Sequence, residues 1–151
     1  MSSLLTKSQG TIWNLRFKGL RGAEISKRIV KSRQYVSKSL QSADSKVFRA
    51  MAEAARMNKV MIKTVDPERG FLVGHSREFG SSILLTFSPR DGINVWAPHQ
   101  GQCGHCPDLS SCRSHLFEEA ERLGVVLEKG ETRLQPAELA GLVFSRAWPE
   151  T

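Results

Sequence analysis

The chain has 151 residues, 40% of them hydrophobic, and a formal net charge of +7. That length allows one medium domain or two small ones, and no apolar run reaches the roughly 18 residues of a membrane-spanning helix. The charge is divided: residues 1–63 hold 14 Lys/Arg against 3 Asp/Glu, and residues 64–151 hold 8 against 12. A basic first part on a mildly acidic second part points to a polyanion-binding head joined to a sensing or assembly module.

In chain order, Thr6-Lys7-Ser8-Gln9 has the form of a capping box and opens a helix to about Lys18, with Ile12, Trp13, Leu15 and Phe17 as its apolar residues. Gly19-Leu20-Arg21-Gly22 is a turn, and Ile25 and Ile29 lie one turn apart on a short second helix. Lys31-Ser32 is a further turn, with Ser32 capping a third helix. From there Val36, Leu40, Ala43, Val47, Ala50, Ala54 and Met57 recur in alternating steps of four and three. That stripe is either the core face of one long helix or a dimer seam, and the seam reading is favoured.

After Asn58 the pattern changes to strands. Residues 60–65 and 71–75 predict a hairpin about the turn Asp66-Pro67-Glu68-Arg69-Gly70. A third strand is expected over 82–87 and a fourth over 93–96, separated by Ser88-Pro89-Arg90-Asp91-Gly92. A helix follows from Leu116 to Leu123, closed by Gly124, with Val125-Val126-Leu127 as a last strand and Pro136 opening a final helix to about Trp148. The expected fold class is α+β. Residues 1–57 form a helical helix-turn-helix head with a long linking or dimerisation helix, and residues 58–151 a small α+β domain with β-hairpins and a Cys/His metal loop.

The head has the packing logic of a helix-turn-helix. Small Ser26 lies between Ile25 and Ile29 where two helices approach, and Val36 can meet Ile25 across the turn. Arg33, Gln34, Ser37, Lys38 and Gln41 share the face of the third helix opposite its apolar stripe. Arg suits guanine, Gln suits adenine, and Ser or Lys suits base or phosphate. Lys27, Arg28, Lys31 and Ser32 complete the candidate DNA contacts, the three cations being placed for backbone phosphates. The plainer alternative is a solvated polar face on an ordinary three-helix core.

All three cysteines fall in the segment from Cys103 to Cys112. With His115 they give C-x2-C-x5-C-x2-H, enough soft and borderline ligands for one tetrahedral ion. An odd cysteine count argues against a closed disulfide framework, and no signal-peptide pattern opens the chain, so a reduced, cytoplasmic setting is expected. Gly101 and Gly104 permit the tight turn of a zinc knuckle at Cys103 and Cys106. Cys112 and His115, one turn apart, would close the shell, with His99 and His105 as competitors for the fourth place and Arg113 near enough to offset thiolate charge. Zinc is the favoured occupant, an iron–sulfur cluster the rival, and three free redox-sensitive thiols the third reading. No phosphate loop, H-E-x-x-H, G-x-S-x-G or H-x-E deaminase motif occurs, so no enzyme is expected.

Two resemblances sharpen this reading. Leu5-Thr6-Lys7-Ser8-Gln9 through Ser32-Arg33-Gln34-Tyr35-Val36-Ser37-Lys38 resembles the Tfx-type helix-turn-helix of archaeal transcription regulators over about residues 4–57. It is more distantly similar to the sigma-factor and LuxR-type motif. The resemblance implies a promoter-binding, sequence-specific regulator of double-stranded DNA, and paired half-sites favour a homodimer. Family members usually carry Gly in the turn where this chain has Val30-Lys31. A β-branched residue resists φ > 0, so a wider or differently shaped turn is expected. Cys106-x5-Cys112-x2-His115 resembles the last ligands of bacterial iron–sulfur regulators, which implies redox sensing as the alternative function. A non-specific, architectural nucleic-acid-binding protein is the reading of another class. The operator and any small-molecule effector are not legible in the sequence.

Overall fold

The computed structural model describes residues 3–97 and 107–148, and the fold is α+β. Its elements are α1 (Lys7–Phe17), α2 (Gly22–Ile29), α3 (Arg33–Met57), β1 (Val60–Asp66), β2 (Phe71–Ser76), β3 (Ser81–Ser88), β4 (Gly92–Trp96), α4 (Leu109–Arg122) and α5 (Pro136–Ala147). The chain divides into two compact units, residues 1–97 and 98–151. The boundary thus falls after the sheet rather than after Met57, where the change of sequence pattern places it.

The first unit begins as its caps dictate. Thr6 Oγ1 accepts from the Gln9 backbone N–H at 3.2 Å and Gln9 Oε1 accepts from the Thr6 N–H at 3.1 Å, a closed capping box. Ser32 Oγ accepts from the Tyr35 N–H at 3.0 Å and starts α3. The four strands form an antiparallel meander in the order β1-β2-β3-β4. β1 is an edge strand, and its pairing with β2 shifts register between Ile62 and Thr64, which makes Lys63 the extra residue of a bulge.

One apolar cluster joins helices to sheet: Trp13 from α1, Ala43, Val47, Met51 and Ala55 from α3, and Val60, Leu72, Ile83, Leu85 and Phe87 from the strands. Trp13 is its keystone. The indole is fully buried, stacks on Phe17 at 5.3 Å, meets Phe87 edge-on at 5.1 Å, and donates through Nε1 to Pro67 O at 3.2 Å. Gly70, at φ 70°, closes the β1–β2 turn against it. A Cβ there would lie 2.8 Å from Phe87 O and 3.0 Å from Trp13 Cη2.

The repeat on α3 is therefore used within the chain. Val36, Ala43 and Val47 are buried as the stripe predicts. Farther along the buried positions move to Met51 and Ala55, while Met57 is 72% exposed. An α-helix of 3.6 residues per turn drifts about 20° per heptad from a strict seven-residue repeat, so one straight helix on a sheet cannot bury such a stripe to its end. The first half of the stripe is core and does not serve as a dimer seam.

In the second unit α4 begins at Leu109, seven residues before its predicted start, and its first turn closes with the Cys112 N–H on Asp108 O at 2.8 Å. It ends in a left-handed Gly124 (φ 71°), where the Val125 N–H returns to Ala120 O at 2.8 Å. Val125-Val126-Leu127 is irregular rather than a strand. The Val125 N–H is committed to the helix cap, and Val126 O accepts from Arg146 Nη1 at 3.0 Å, so a strand ladder would have to break both bonds. A single 3-10 turn at Glu131–Arg133 leads to α5, with Pro136 in its first turn as predicted, and α5 packs on α4.

Arg146 also grips Glu131 through two bonds of 2.8 and 2.5 Å. This bond, with the Glu128 N–H, holds the Glu131 carboxyl at about 2, below its ordinary 4.5. A depressed folded-state pKa contributes stability above the unfolded value and loses it as pH falls through the folded one. The stability gap between the native chain and Glu131→Gln should thus be present at pH 6 and close as pH falls from about 4.5 to about 2. Thermal melts of both proteins across that range measure it; a gap independent of pH would contradict the ion pair.

Candidate nucleic-acid interface

The head carries its own small core, separate from the sheet cluster: Ile12, Ile25 and Val36 are buried together, with Leu15, Leu20, Ile29 and Leu40 packed around them. The predicted meeting of Ile25 and Val36 across the turn is present. α1 is tied to α3 by side chains as well. Arg16 makes a bidentate bond to Asp44 at 2.8 and 2.5 Å, and Gln9 links to Ser42 at 3.0 Å and Lys46 at 2.8 Å. These contacts fix α2 and α3 as a unit with respect to α1.

The turn between them corrects the sequence expectation. Val30 adopts φ 56°, ψ 52°, the left-handed conformation, and the Lys31 N–H bonds to Ser26 O at 3.1 Å. The turn is not widened to accommodate a β-branched residue. The residue takes the conformation that the tight turn requires, with its side chain 84% exposed. Left-handed backbone costs an L-residue about 1–2 kcal/mol, of which Gly would return part as unfolded-state entropy. Val30→Gly is therefore expected to raise stability by about 1 kcal/mol, read as a higher urea midpoint at unchanged m; a lower midpoint would show that the valine side chain contributes packing.

The polar face of α3 is open. Arg33, Gln34, Ser37, Lys38 and Gln41 are all exposed; Gln34, Lys38 and Gln41 lie on the side away from Val36, Leu40 and Ala43, whereas Arg33, seven residues before Leu40, lies beside the apolar stripe with Ser37 between the two faces. Lys27, Arg28, Lys31 and Ser32 are exposed around the turn, although the Ser32 hydroxyl is occupied as the α3 cap. Among the described residues none of Lys27, Arg28, Lys31, Arg33 or Lys38 makes a salt bridge, and from residue 21 to residue 41 six basic residues face one acid, Glu24. The acids of this unit that do pair, Asp44, Glu53, Glu78 and Asp91, take Arg16, Arg56, Lys59 and Arg90 instead. The exposed surface of the turn and of early α3 thus carries five cations that make no salt bridge among the described residues, with the Gln34 and Gln41 amides and the Ser37 hydroxyl on the same helix.

Tyr35 was not among the sequence-predicted contacts. Its hydroxyl lies 2.8 Å from Ser8 Oγ, and its ring lies under Lys31 Nζ, 5.5 Å from the ring centroid. The signal for this pair, a tyrosine three residues after the Ser32 cap and a serine in a different helix, exists only once α1 and α3 are brought together.

Of the predicted metal ligands, Cys112 and His115 are half-buried and one turn apart on α4, as their spacing implies. Cys103, Cys106, His99 and His105 lie outside the described residues. Arg113, expected near the thiolates, donates through Nη2 to Leu134 O at 2.8 Å and ties α4 to the turn before α5. No described helix is long and apolar enough to cross a membrane. Compared with known proteins, the chain matches no family model, no curated protein and no solved structure.

Proposed function

We propose that this protein is a DNA-binding transcription regulator that inserts the first half of α3 into the major groove. The observation that carries the reading is the conjunction of a tight left-handed turn at Val30, a three-helix core at Ile12, Ile25 and Val36, and an exposed face of Arg33, Gln34, Ser37, Lys38 and Gln41 free of salt bridges among the described residues. Those side chains have the donor and acceptor patterns that distinguish base pairs in the major groove, and Lys27, Arg28 and Lys31 flank them as backbone contacts. In this reading the protein acts in the cytoplasm as a homodimer on paired half-sites. Because the core half of the α3 stripe is spent internally, the dimer would form through another surface.

The C-terminal unit is proposed to carry a Cys3His site of Cys103, Cys106, Cys112 and His115, holding zinc that fixes its fold. The separate placement of thiols and head on different units supports a second version, in which an iron–sulfur cluster in the same site senses redox state. Metal analysis with a visible spectrum on anaerobically purified protein separates the two: one colourless zinc per chain, or iron with sulfide and a brown absorption.

The DNA reading is tested by selecting a binding site from random duplexes and then measuring Arg33→Ala. A reader loses about 1–3 kcal/mol and its preference at one base position. A charge-only architectural binder selects no site and weakens evenly over all sequences, with a salt slope shallower by about 1.

A further inference from the structure

We propose that Ser8 and Tyr35, with Lys7 and Lys31, seat one phosphodiester of the DNA backbone beside the groove that α3 reads; this rests on the DNA-binding reading above. The structure brings together two hydroxyls that are 27 residues apart in sequence, Ser8 Oγ and Tyr35 OH, at 2.8 Å in an exposed position. Each hydroxyl carries one proton, and their mutual bond uses one of the two. The other proton is left to donate outward.

What it meets there is set by charge. Lys31 Nζ sits over the Tyr35 ring at 5.5 Å, and Lys7 precedes Ser8 in the first turn of α1. Neither the first turn of α1 nor that of α3 contains an acidic residue. An O–H donor among cations, with no acid in either turn, favours an acceptor-only anion. The diester oxygen of a nucleic-acid backbone has that chemistry, and Tyr35 stands on the same helical turn as Arg33 and Gln34, so a phosphate bound there flanks the bases those two side chains would read. The bond between α1 and α3 then has a second role: it holds the outward donor rigid, and a rigid donor loses little entropy on binding.

The test uses the full chain and the duplex that the wild type selects from a random pool. Tyr35→Phe keeps the ring beneath Lys31 and removes only the hydroxyl; Ser8→Ala removes its partner. Each is expected to weaken binding about tenfold, the scale of one hydrogen bond to a charged group. Base preference and salt slope should not change, because no cation is lost. Unaltered affinity in both variants, at melting temperatures that show them folded, overturns the proposal. So does a changed base preference in Tyr35→Phe, which would make Tyr35 a base reader. A third arm titrates inorganic phosphate against the DNA-free protein. Free phosphate binding that Tyr35→Phe abolishes, with duplex affinity untouched, would assign the seat to a small anion and overturn the backbone role. A wild type that selects no site, with Arg33→Ala indistinguishable from it, would remove the underlying reading, whereas loss in Arg33→Ala with no loss in Tyr35→Phe removes only the seat.

Discussion

Trp13→Ala is expected to destabilise the first unit by about 4 kcal/mol, the cost of deleting a fully buried indole from a packed core. That is a large share of the roughly 5–15 kcal/mol of a typical domain. The mechanism is specific to the position. The variant loses the stack on Phe17, the edge contact with Phe87 and the bond to Pro67 O, and leaves a cavity where α1, α3 and the β1–β2 turn converge. Because α3 is common to the head core and the sheet core, the loss should be felt on both sides. Hydrogen exchange followed by peptide should show α1 and α2 losing protection together with β2 and β3. Accelerated exchange confined to residues 7–29, with the sheet still protected, would mean that the head is an independent domain after all.

The second large effect concerns binding. Replacing Lys27, Arg28 and Lys31 together by Gln is expected to reduce the slope of log affinity against log salt by about 2.7, since each phosphate contact on duplex DNA contributes about 0.9. At about 0.1 M salt the same term amounts to a loss of several hundred-fold in affinity. All three side chains are exposed and make no salt bridge among the described residues, so the fold should be little disturbed. The order of preference among sequences should survive, because the base-reading candidates on α3 are untouched. A slope that changes by less than one unit would place the phosphates elsewhere on the surface.

Much of the fold could be read from local chemistry, and the reasons differ by element. The starts of α1, α3 and α5 were legible because a capping box, a serine cap and a proline each satisfy or remove the unpaired N–H groups of a first turn. The four strands were legible from β-branched runs bounded by Pro and Gly turns. What escaped the sequence was long-range or contrary to propensity. Val30 takes a conformation that its side chain opposes, because the head core holds α2 and α3 at a fixed approach. Met51 and Ala55 are the fully buried positions where the stripe points to Ala50 and Ala54, through the phase drift of the helix, and Ala54 stays packed at the margin of the core. Trp13 looked like one more apolar residue of α1, and only its meeting with Phe87 and Pro67 shows that α1 contributes to the sheet core as well as to the head core. In the candidate site, the exposure of Gln34, Lys38 and Gln41 followed from helical spacing, whereas that of Arg33, seven residues before Leu40, did not. The Ser8–Tyr35 pair did not, since no local pattern relates residues on different helices.

The bulge at Lys63 has a consequence for behaviour in crowded solution. β1 lies at the margin of the sheet, and Met61 and Ile62 are about half exposed there. An unpaired margin with apolar side chains is a template on which foreign strands polymerise. Here the extra residue breaks the regular spacing of the outer N–H and C=O groups, and the residue that does so bears a positive charge. A foreign strand thus meets at this margin an interrupted ladder and a lysine charge, two devices by which sheets discourage edge-to-edge pairing.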